Sequence, residues 1–156
     1  MEIERKYLIH QLPENLEQYP SHKIEQGYLN TNPVVRIRQS DDEYYLTYKG
    51  GGLLAREEYN LPLTEEAYLH LRPKADGIVL SKRRYLIPLT EKLTIELDVF
   101  DTPYRGLILA EVEFEDMESA LSFTPPQWFG EDVTLSGIYQ NSLLSRGVAA
   151  VKPVWD

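Results

Sequence analysis

The 156-residue sequence predicts an α+β domain built on an eight-stranded antiparallel closed β-barrel with a few flanking helices. Polar and apolar residues alternate with a period of two along eight segments. Turn residues separate most of these segments by short connections, and helical periodicity is confined to a few short stretches. The length fits one folding unit, so residues 1–156 are predicted to form a single domain.

The eight predicted strands run from the N-terminus to residue 115. Each strand combines the alternation with β-branched or aromatic residues, and Gly, Pro, Asn or Asp residues stand between neighbouring strands. Because most connections are short, neighbouring strands are expected to pair as antiparallel hairpins. The predicted strands cover residues 2–9, 24–29, 34–38, 44–49, 55–61, 82–85, 93–100 and 108–115.

Four short helical pieces are predicted beside the strands. A helical turn is expected over residues 13–18, and a helix over 64–71 whose first residue, Thr64, is a suitable N-cap. Two further helices are predicted over residues 117–123 and 136–146, the second with Gly147 as its stop. These pieces are too few to cover both faces of a large open sheet, which favours a barrel or a strongly curled sheet.

Composition and charge exclude several classes of protein. The formal charge is −9, so neither nucleic acid nor a membrane is an expected partner. No apolar run is long enough for a transmembrane helix, and the acidic N-terminus argues against a signal peptide. The absence of cysteine excludes disulfides, thiolate metal sites and a cysteine nucleophile, and it agrees with a predicted cytoplasmic location. The oligomeric state is left open, with a homodimer as one candidate assembly.

Charged residues of one sign recur at spacing two along several predicted strands. Residues at this spacing share one face of a strand, and like charges side by side cost roughly 0.2–1 kcal/mol per pair, so a solvated face usually mixes signs. The opposite faces are strongly apolar in several of these strands. The like-charge pairs are Glu2/Glu4, Arg36/Arg38, Lys82/Arg84, Glu96/Asp98 and Glu111/Glu113.

If the sheet closes, these charged faces converge on a lumen. Carboxylates on one wall supply oxygen ligands for a hard divalent cation, and Arg and Lys on the other wall supply donors for phosphate oxygens. A metal–polyphosphate complex satisfies both walls at once. The alternative interpretations are a solvated charged face and a purely structural ion-pair network, but neither needs so many like-charge pairs.

These residues carry a resemblance that extends over nearly the whole chain. The segment Glu2–Lys6 reproduces the ExExK signature of the CYTH superfamily, also called triphosphate tunnel metalloenzymes. In order and spacing, the chain resembles the small bacterial inorganic triphosphatases. The further matching motifs are Gln26-Gly27-Tyr28-Leu29, Arg36-x-Arg38, Lys82-x-Arg84, Glu96-x-Asp98 and Glu111-x-Glu113.

The resemblance implies a barrel that hydrolyses inorganic triphosphate to pyrophosphate and phosphate with Mg²⁺ or Mn²⁺. The expected partner is therefore a small-molecule triphosphate. Alternatives that stay open are hydrolysis of nucleoside or thiamine triphosphate, an adenylyl cyclase, and a non-catalytic module that binds polyphosphate or nucleotide. Because a tunnel of this kind contacts phosphates more than the group attached to them, the sequence leaves the substrate open among triphosphates.

Carried over position by position, the resemblance implies two sets of binding residues. The acidic metal-binding positions are Glu2, Glu4, Asp98, Glu111 and Glu113. The basic phosphate-binding positions are Lys6, Arg36, Arg38, Lys49, Arg56, Lys82 and Arg84.

Two schemes for activating the attacking water are implied by the resemblance. One places Glu4, Glu111 or Glu113 beside a metal, and the other uses the pair Lys82 and Tyr28. We favour metal-assisted water with Glu4 as the carboxylate, and with Lys82 and Tyr28 in supporting catalytic roles. The polar segment 136–142 lacks lysines that similar proteins carry near the tunnel mouth, and it is interpreted either as a cap on the tunnel or as an ordinary C-terminal helix.

Overall fold

A computed structural model describes residues 1–147. Within them, ten strands and three short α-helices follow one another, with 3₁₀ turns at Leu16–Gln18 and Arg72–Lys74. The strands are β1 (Glu2–Ile9), β2 (Ser21–Thr31), β3 (Val34–Ser40), β4 (Glu43–Lys49), β5 (Ala55–Arg56), β6 (Glu58–Pro62), β7 (Asp76–Pro88), β8 (Thr94–Phe100), β9 (Ile108–Glu113) and β10 (Phe129–Asp132). The helices are α1 (Glu65–Leu71), α2 (Met117–Leu121) and α3 (Asn141–Leu144).

All strand pairs are antiparallel and follow the order β10-β1-β9-β8-β7-β2-β3-β4-β6, with β5 also paired to β1. The segment that contains β5 and β6 acts as the eighth strand and closes the barrel. Glu58 of β6 pairs with Lys49 of β4, and Arg56 of β5 pairs with Glu2 of β1. This segment therefore joins the two edges of the sheet. If β5 and β6 are taken as one strand, the predicted eight-stranded barrel is confirmed.

The count of ten strands differs from the predicted eight for two reasons. The predicted strand 55–61 is divided, because its two ends pair with different neighbours on either side of Glu57. In addition, β10 pairs with the end of β1 in a stretch that the sequence did not identify as a strand. β2 and β7 are also longer than predicted, because each continues to pair with the other beyond its alternating segment.

The helices are shorter than predicted, and α3 differs most. It covers Asn141–Leu144 rather than residues 136–146, because Gly137 has a φ of 76° and Gln140 is extended. α2 ends at Leu121, two residues before its predicted end. α1 begins after Thr64, whose side chain accepts a hydrogen bond from the Ala67 N–H as predicted.

Two apolar clusters frame the lumen. The first lies outside the barrel, where α2 and the chain near β10 cover side chains such as Tyr7, Leu97 and Val112. The second includes lumen-facing Leu80, Phe100 and Leu109 at one end of the barrel, where Leu144 of α3 packs against them. The interior is therefore apolar at one end and charged in its middle. Within the described residues, no helix is both long enough and apolar enough to cross a membrane.

One glycine fixes the C-terminal segment against the barrel. Gly77 has a φ of 65°, and a Cβ at this position would lie 2.1 Å from the carbonyl oxygen of Ser145. The next residue, Ile78, donates its N–H to the same oxygen at 2.6 Å. A side chain at position 77 would thus push the C-terminal segment away from the barrel, so this close contact requires glycine.

Candidate active site

The barrel encloses a cavity of about 460 Å³ in the charged middle of its lumen. Of the thirteen predicted site residues, only Asp98 is not part of its lining. Strand alternation places these side chains, because residues two apart on a strand face the same side. The structure thus brings together the residues Glu2, Glu4, Lys6, Tyr28, Arg36, Arg38, Lys49, Arg56, Lys82, Arg84, Glu111 and Glu113.

The strand register places the arginines of β3 across the lumen from the carboxylates of β1 and β9. Across β1 and β9, Glu4 is opposite Glu113 and Lys6 is opposite Glu111. Arg36 and Arg38 lie on β3. This strand is four strands away from β9 around the eight-stranded barrel, so it forms the opposite wall. A linear polyanion in this lumen would have the β3 arginines on one side and the β1–β9 carboxylates, with Lys6 among them, on the other.

Several lumen cations are paired with carboxylates. Lys49 Nζ lies 2.9 Å from Glu2 Oε1 and 3.2 Å from Glu58 Oε2. Lys6 Nζ is 3.5 Å from Glu111 Oε1. The pKa of Glu111 is held well below its usual range, because Lys6 and Arg84 outweigh the effect of burial. These pairs balance charge along the β1–β9 wall.

Asp98 lies fully buried behind the cavity wall and binds two cations. It accepts hydrogen bonds from Lys82 Nζ at 2.6 Å and from Arg84 Nε and Nη2 at 2.7 and 2.9 Å. Burial raises the pKa of Asp98, but Arg84 and Lys82 outweigh it and lower the pKa overall. In this arrangement Asp98 orients Lys82 and Arg84, and its predicted role as a metal ligand stays a prediction.

Lys82 is a fully buried lysine at the wall of the cavity. Burial lowers its pKa to about 7, with Arg84 and Arg38 adding to the effect against the opposing influence of Asp98. Its ammonium donates to Asp98 and to Asn141 Oδ1, the second at 3.0 Å. No hydrogen bond joins Lys82 to Tyr28 within residues 1–147, and the nearest recorded partner of the Tyr28 hydroxyl is Gln26 Nε2, at 3.4 Å.

Three lumen arginines have no carboxylate partner among the described residues. Arg36 donates to the Thr47 hydroxyl at 3.2 Å, while its Nε is buried with no partner. The Nε of Arg56 is likewise buried with no partner. Arg38 donates through Nε and Nη2 to the neutral oxygen of Gln26, at 2.9 and 2.6 Å. Guanidinium groups left without a counter-charge are well suited to bind phosphate oxygens.

Two carboxylates on the opposite wall, Glu4 and Glu113, have no cation partner within residues 1–147, unlike Glu2 and Glu111. Glu4 has no ion pair or side-chain hydrogen bond within residues 1–147, and burial together with Glu111 and Glu2 raises its pKa to about 8. Burial raises the pKa of Glu2 to about 7 even though Lys49 is paired with it. Burial and the neighbouring Glu96 also raise the pKa of Glu113. A bound cation would remove the cost of keeping these carboxylates ionised.

The donor chemistry of this wall fits a hard divalent cation. Within residues 1–147, no group of three or more metal-ligating side chains is already assembled around one point. Mg²⁺ typically binds proteins through one or two carboxylates and completes its octahedron with water and substrate phosphates. Glu4 and its acidic neighbours can supply such a partial set, so the residues present fit a metal that binds together with a phosphate chain.

Two further residues of the site were not identified from the sequence as functional. Gln26 is fully buried between Arg38 and α3, where its Nε2 donates to Asn141 Oδ1 at 3.0 Å. The same oxygen accepts from Lys82, so Asn141 links the C-terminal segment to the cationic wall. Gln26 lies on the same strand face as Tyr28, and this shared face could have identified Gln26 as a lumen residue from the sequence. Asn141 lies in the polar segment 136–142, and Gln140, Asn141 and Ser142 all line the cavity.

A family model described as the CYTH domain matches residues 1–146 of the sequence. The chain belongs to the CYTH family. Members of this family form a class of metal-dependent enzymes, which agrees with the carboxylate wall.

Individual CYTH proteins resemble this chain over most of its length. It is 38% identical over 151 residues to an inorganic triphosphatase of Nitrosomonas europaea, covering 94% of this chain and 98% of that protein. An inorganic triphosphatase of Acetivibrio thermocellus is 36% identical over 126 residues, 78% of each chain. The crystal structure of the inorganic triphosphatase NE1496 superposes with a TM-score of 0.70 at 34% identity, covering 98% of this chain and 97% of that one. The tunnel architecture is therefore the CYTH fold.

Proposed function

We propose that this protein hydrolyses inorganic triphosphate to pyrophosphate and phosphate inside its barrel. The observation that carries the proposal is that Arg36, Arg38 and Arg56 have no carboxylate partner within residues 1–147, in a lumen that also holds Glu4 and Glu113 without a cation partner. A triphosphate with a divalent cation supplies both missing charges. The CYTH relatives named inorganic triphosphatase support the same substrate.

The proposed metal is Mg²⁺ or Mn²⁺. Its ligands would come from Glu2, Glu4, Glu111 and Glu113, with Asp98 as the fifth residue predicted for this role. When bound, such a cation supplies Lewis-acid stabilisation of charge on the phosphate oxygens. The raised pKa values of Glu2 and Glu4 mean that proton binding competes with metal binding at these positions.

The basic residues of the lumen bind and orient the triphosphate. Phosphoryl transfer to water needs neutralised charge and an in-line nucleophile, so most of the catalysis is positioning and electrostatic stabilisation. Each arginine guanidinium can donate two hydrogen bonds to phosphate oxygens. Together the arginines keep the triphosphate extended along the lumen. The residues proposed for this role are Lys6, Arg36, Arg38, Lys49, Arg56, Lys82 and Arg84.

We propose that Glu4 is the general base that accepts a proton from the attacking water. This carboxylate faces the cavity and has no ion pair or side-chain hydrogen bond among the described residues, so it would be available to accept a proton once a bound cation keeps it ionised. Lys82 has a pKa close to neutral, but its ammonium is held by Asp98 and Asn141. Lys82 and Tyr28 are therefore kept in supporting catalytic roles.

The test is phosphate release from tripolyphosphate with and without Mg²⁺ or Mn²⁺, in parallel with ATP and thiamine triphosphate. We expect metal-dependent turnover that is fastest with tripolyphosphate and yields equal amounts of phosphate and pyrophosphate. Glu4→Gln should abolish turnover while the fold is retained, and Glu131→Gln on the exposed surface is the matched control.

Three other outcomes would contradict the proposal. Cyclic AMP formed from ATP would indicate a cyclase. Faster turnover of ATP or thiamine triphosphate than of tripolyphosphate would change the substrate class. Tight binding of triphosphate without hydrolysis in any metal would indicate a binding module.

A further inference from the structure

The tunnel adjoins two pockets at its opposite ends. A front pocket of about 1120 Å³ shares Leu86, Glu96 and Glu113 with the tunnel lining. A rear pocket of about 420 Å³ shares five residues with the tunnel lining, which form the wall between the two cavities: Val34, Leu53, Arg56, Gln140 and Ser142. Each of these two pockets is therefore a candidate route toward the tunnel, and their chemistry can be compared.

The front pocket is strongly acidic. Its only positive charges within the described residues are Lys92 and the amino group of Met1. A polyanion approaching this pocket meets like charge within a few Debye lengths, which slows its association. The carboxylates that line this pocket are Glu91, Glu96, Glu113, Glu115 and Asp116.

The rear pocket has the opposite character. Arg56 and Arg146 line it, and no Asp or Glu does so within residues 1–147. Arg146 donates to the Thr31 hydroxyl and has no carboxylate partner in the same part of the chain, and Arg56 has a buried Nε with no partner. Two guanidinium groups without counter-charges can hold two phosphate groups or two oxygens of one phosphate.

The glycine loop at the rim of this pocket adds backbone donors. Gly51 and Gly52 line the pocket, and their N–H groups make no hydrogen bond within the described residues. A Cβ built at Gly51 has no atom within 4 Å, so the rim is open at this point. Free amide N–H groups at a glycine-rich turn are favourable neighbours for an anion.

From this asymmetry we propose that the triphosphate enters through the rear pocket, where Arg146 and Arg56 bind it before it moves into the tunnel. The inference rests on the proposed function, because it concerns the route of that substrate. Leu53 and Gln140 lie in the wall between the pocket and the tunnel and are partly exposed, so rotation of their side chains would be needed to open the passage. Side-chain rotations of this kind are fast compared with turnover.

Position 51 permits a matched test of the rear route. Gly51→Glu and Gly51→Gln add side chains of similar size to open space, so both variants are expected to fold. We expect kcat/KM for tripolyphosphate to be about 3–10-fold lower in Gly51→Glu than in Gly51→Gln at low salt, since steering by charge acts on association. The difference should close at about 0.5 M salt, where the Debye length is only a few ångströms.

Substitutions at both ends of the tunnel complete the experiment. Arg146→Gln should lower kcat/KM at low salt with kcat retained, whereas Arg83→Gln, which removes an exposed arginine from the outer face of β7, should change neither. Glu115→Gln in the front pocket should also leave kcat/KM within about two-fold, because the substrate does not pass there.

Two results would overturn the rear route alone. The first is equal kcat/KM in Gly51→Glu and Gly51→Gln at low salt. The second is a rise of more than about two-fold in Glu115→Gln, which indicates entry at the front. Failure of the unchanged protein to hydrolyse tripolyphosphate at all would instead overturn the proposed function and the route together.

Discussion

At the residue scale, the lumen contains two kinds of charged side chain. Lys49, Lys82 and Arg84 are paired with carboxylates of the same lumen, so their burial is compensated within the protein. Arg36 and Arg56 are not paired with carboxylates of the described residues, although each carries a buried nitrogen. Burying a charge without a partner is costly, so residues of the second kind destabilise the free protein. They are the side chains that a ligand is expected to satisfy.

Arg36→Gln tests this distinction. We expect the substitution to lower triphosphate turnover by about 100-fold or more, since it removes a preorganised donor to the phosphates. The free energy of unfolding should stay the same or rise, because a buried cation with no carboxylate partner is lost. Activity assays and urea denaturation measure the two effects, and a large loss of stability would contradict the interpretation.

Asp98→Asn tests the contribution of a residue that is paired with two cations. The substitution keeps the shape of the side chain but weakens its compensation of Lys82 and Arg84, which are both buried. We expect a loss of about 3 kcal/mol in the free energy of unfolding, because breaking a buried pair leaves charge uncompensated. Asp101→Asn breaks an exposed pair with Lys23 and should cost less than about 1 kcal/mol. Equal losses in urea denaturation would refute the assignment.

At the scale of elements, a few short segments decide how the barrel closes and what covers it. The segment with β5 and β6 joins β4 to β1, and Gly77 allows the segment with α3 to approach β7. α1 packs on β3 and β4, where the ring of Tyr68 lies 5.3 Å from that of Tyr44. None of these segments is long, so each depends on specific contacts rather than on its own helical or strand propensity.

The attachment of α1 is predicted to depend on pH. Tyr68 Oη donates to Glu25 at 2.8 Å, and Arg72 Nε donates to it at 2.6 Å. Burial raises the pKa of Glu25, but these hydrogen bonds outweigh it and lower the pKa overall. Since the folded-state pKa lies below the unfolded one, the stabilisation is present above about pH 4.5 and is lost as the pH falls below it.

Glu25→Gln measures this effect. We expect the variant to be less stable than the parent by about 1 kcal/mol at pH 7, because the pair is partly exposed. The difference should shrink as the pH falls below about 4.5 and Glu25 of the parent becomes protonated. Melting curves from acidic to neutral pH provide the measurement, with the exposed Glu14→Gln as the control. A difference that does not change with pH would contradict the role of the carboxylate.

At the scale of the whole molecule, the tunnel separates a locally balanced interior from an acidic exterior. Seven Lys and Arg side chains and six Glu side chains line the central cavity, so the lining has a formal charge of only +1 and the acidic excess of the chain lies outside it. An acidic exterior repels nucleic acid, and an anionic substrate is attracted only where basic groups are concentrated. The cytoplasmic location and the homodimer are not tested by these observations and stay predictions.

Binding of metal to the carboxylate wall should stabilise the whole fold. Ligand binding to the native state alone contributes about 2.7 kcal/mol at 100-fold excess over Kd, which for this length corresponds to roughly 5–10 °C in Tm. We expect Mg²⁺ or Mn²⁺ to raise the Tm of the parent protein, and Glu4→Gln to remove most of the shift. Glu131→Gln on exposed β10 should keep it. An unchanged metal-induced shift in Glu4→Gln would exclude Glu4 as a ligand.

The sequence predicted the parts of this structure that depend on local pattern. Alternation with period two located the strands, and like-charge pairs such as Arg36/Arg38 and Glu111/Glu113 identified faces that line the lumen. These features are readable because residues two apart on a strand must share a face. β10 and the end points of α3 were missed, because partner strands and a positive φ at Gly137, rather than local propensity, determine them.

The tertiary structure alone decided which charges are paired and which pockets adjoin the tunnel. Glu2 and Lys49 are 47 positions apart, and Lys82 and Asn141 are 59 apart, so their contacts depend on how the barrel closes. Strand pattern places a side chain on a face but does not determine which distant side chain lies across the lumen. The sequence by itself therefore determined a charged barrel of the CYTH type. Closure of the barrel determined which arginines are free for phosphate, because ion pairing depends on distance in space rather than along the chain.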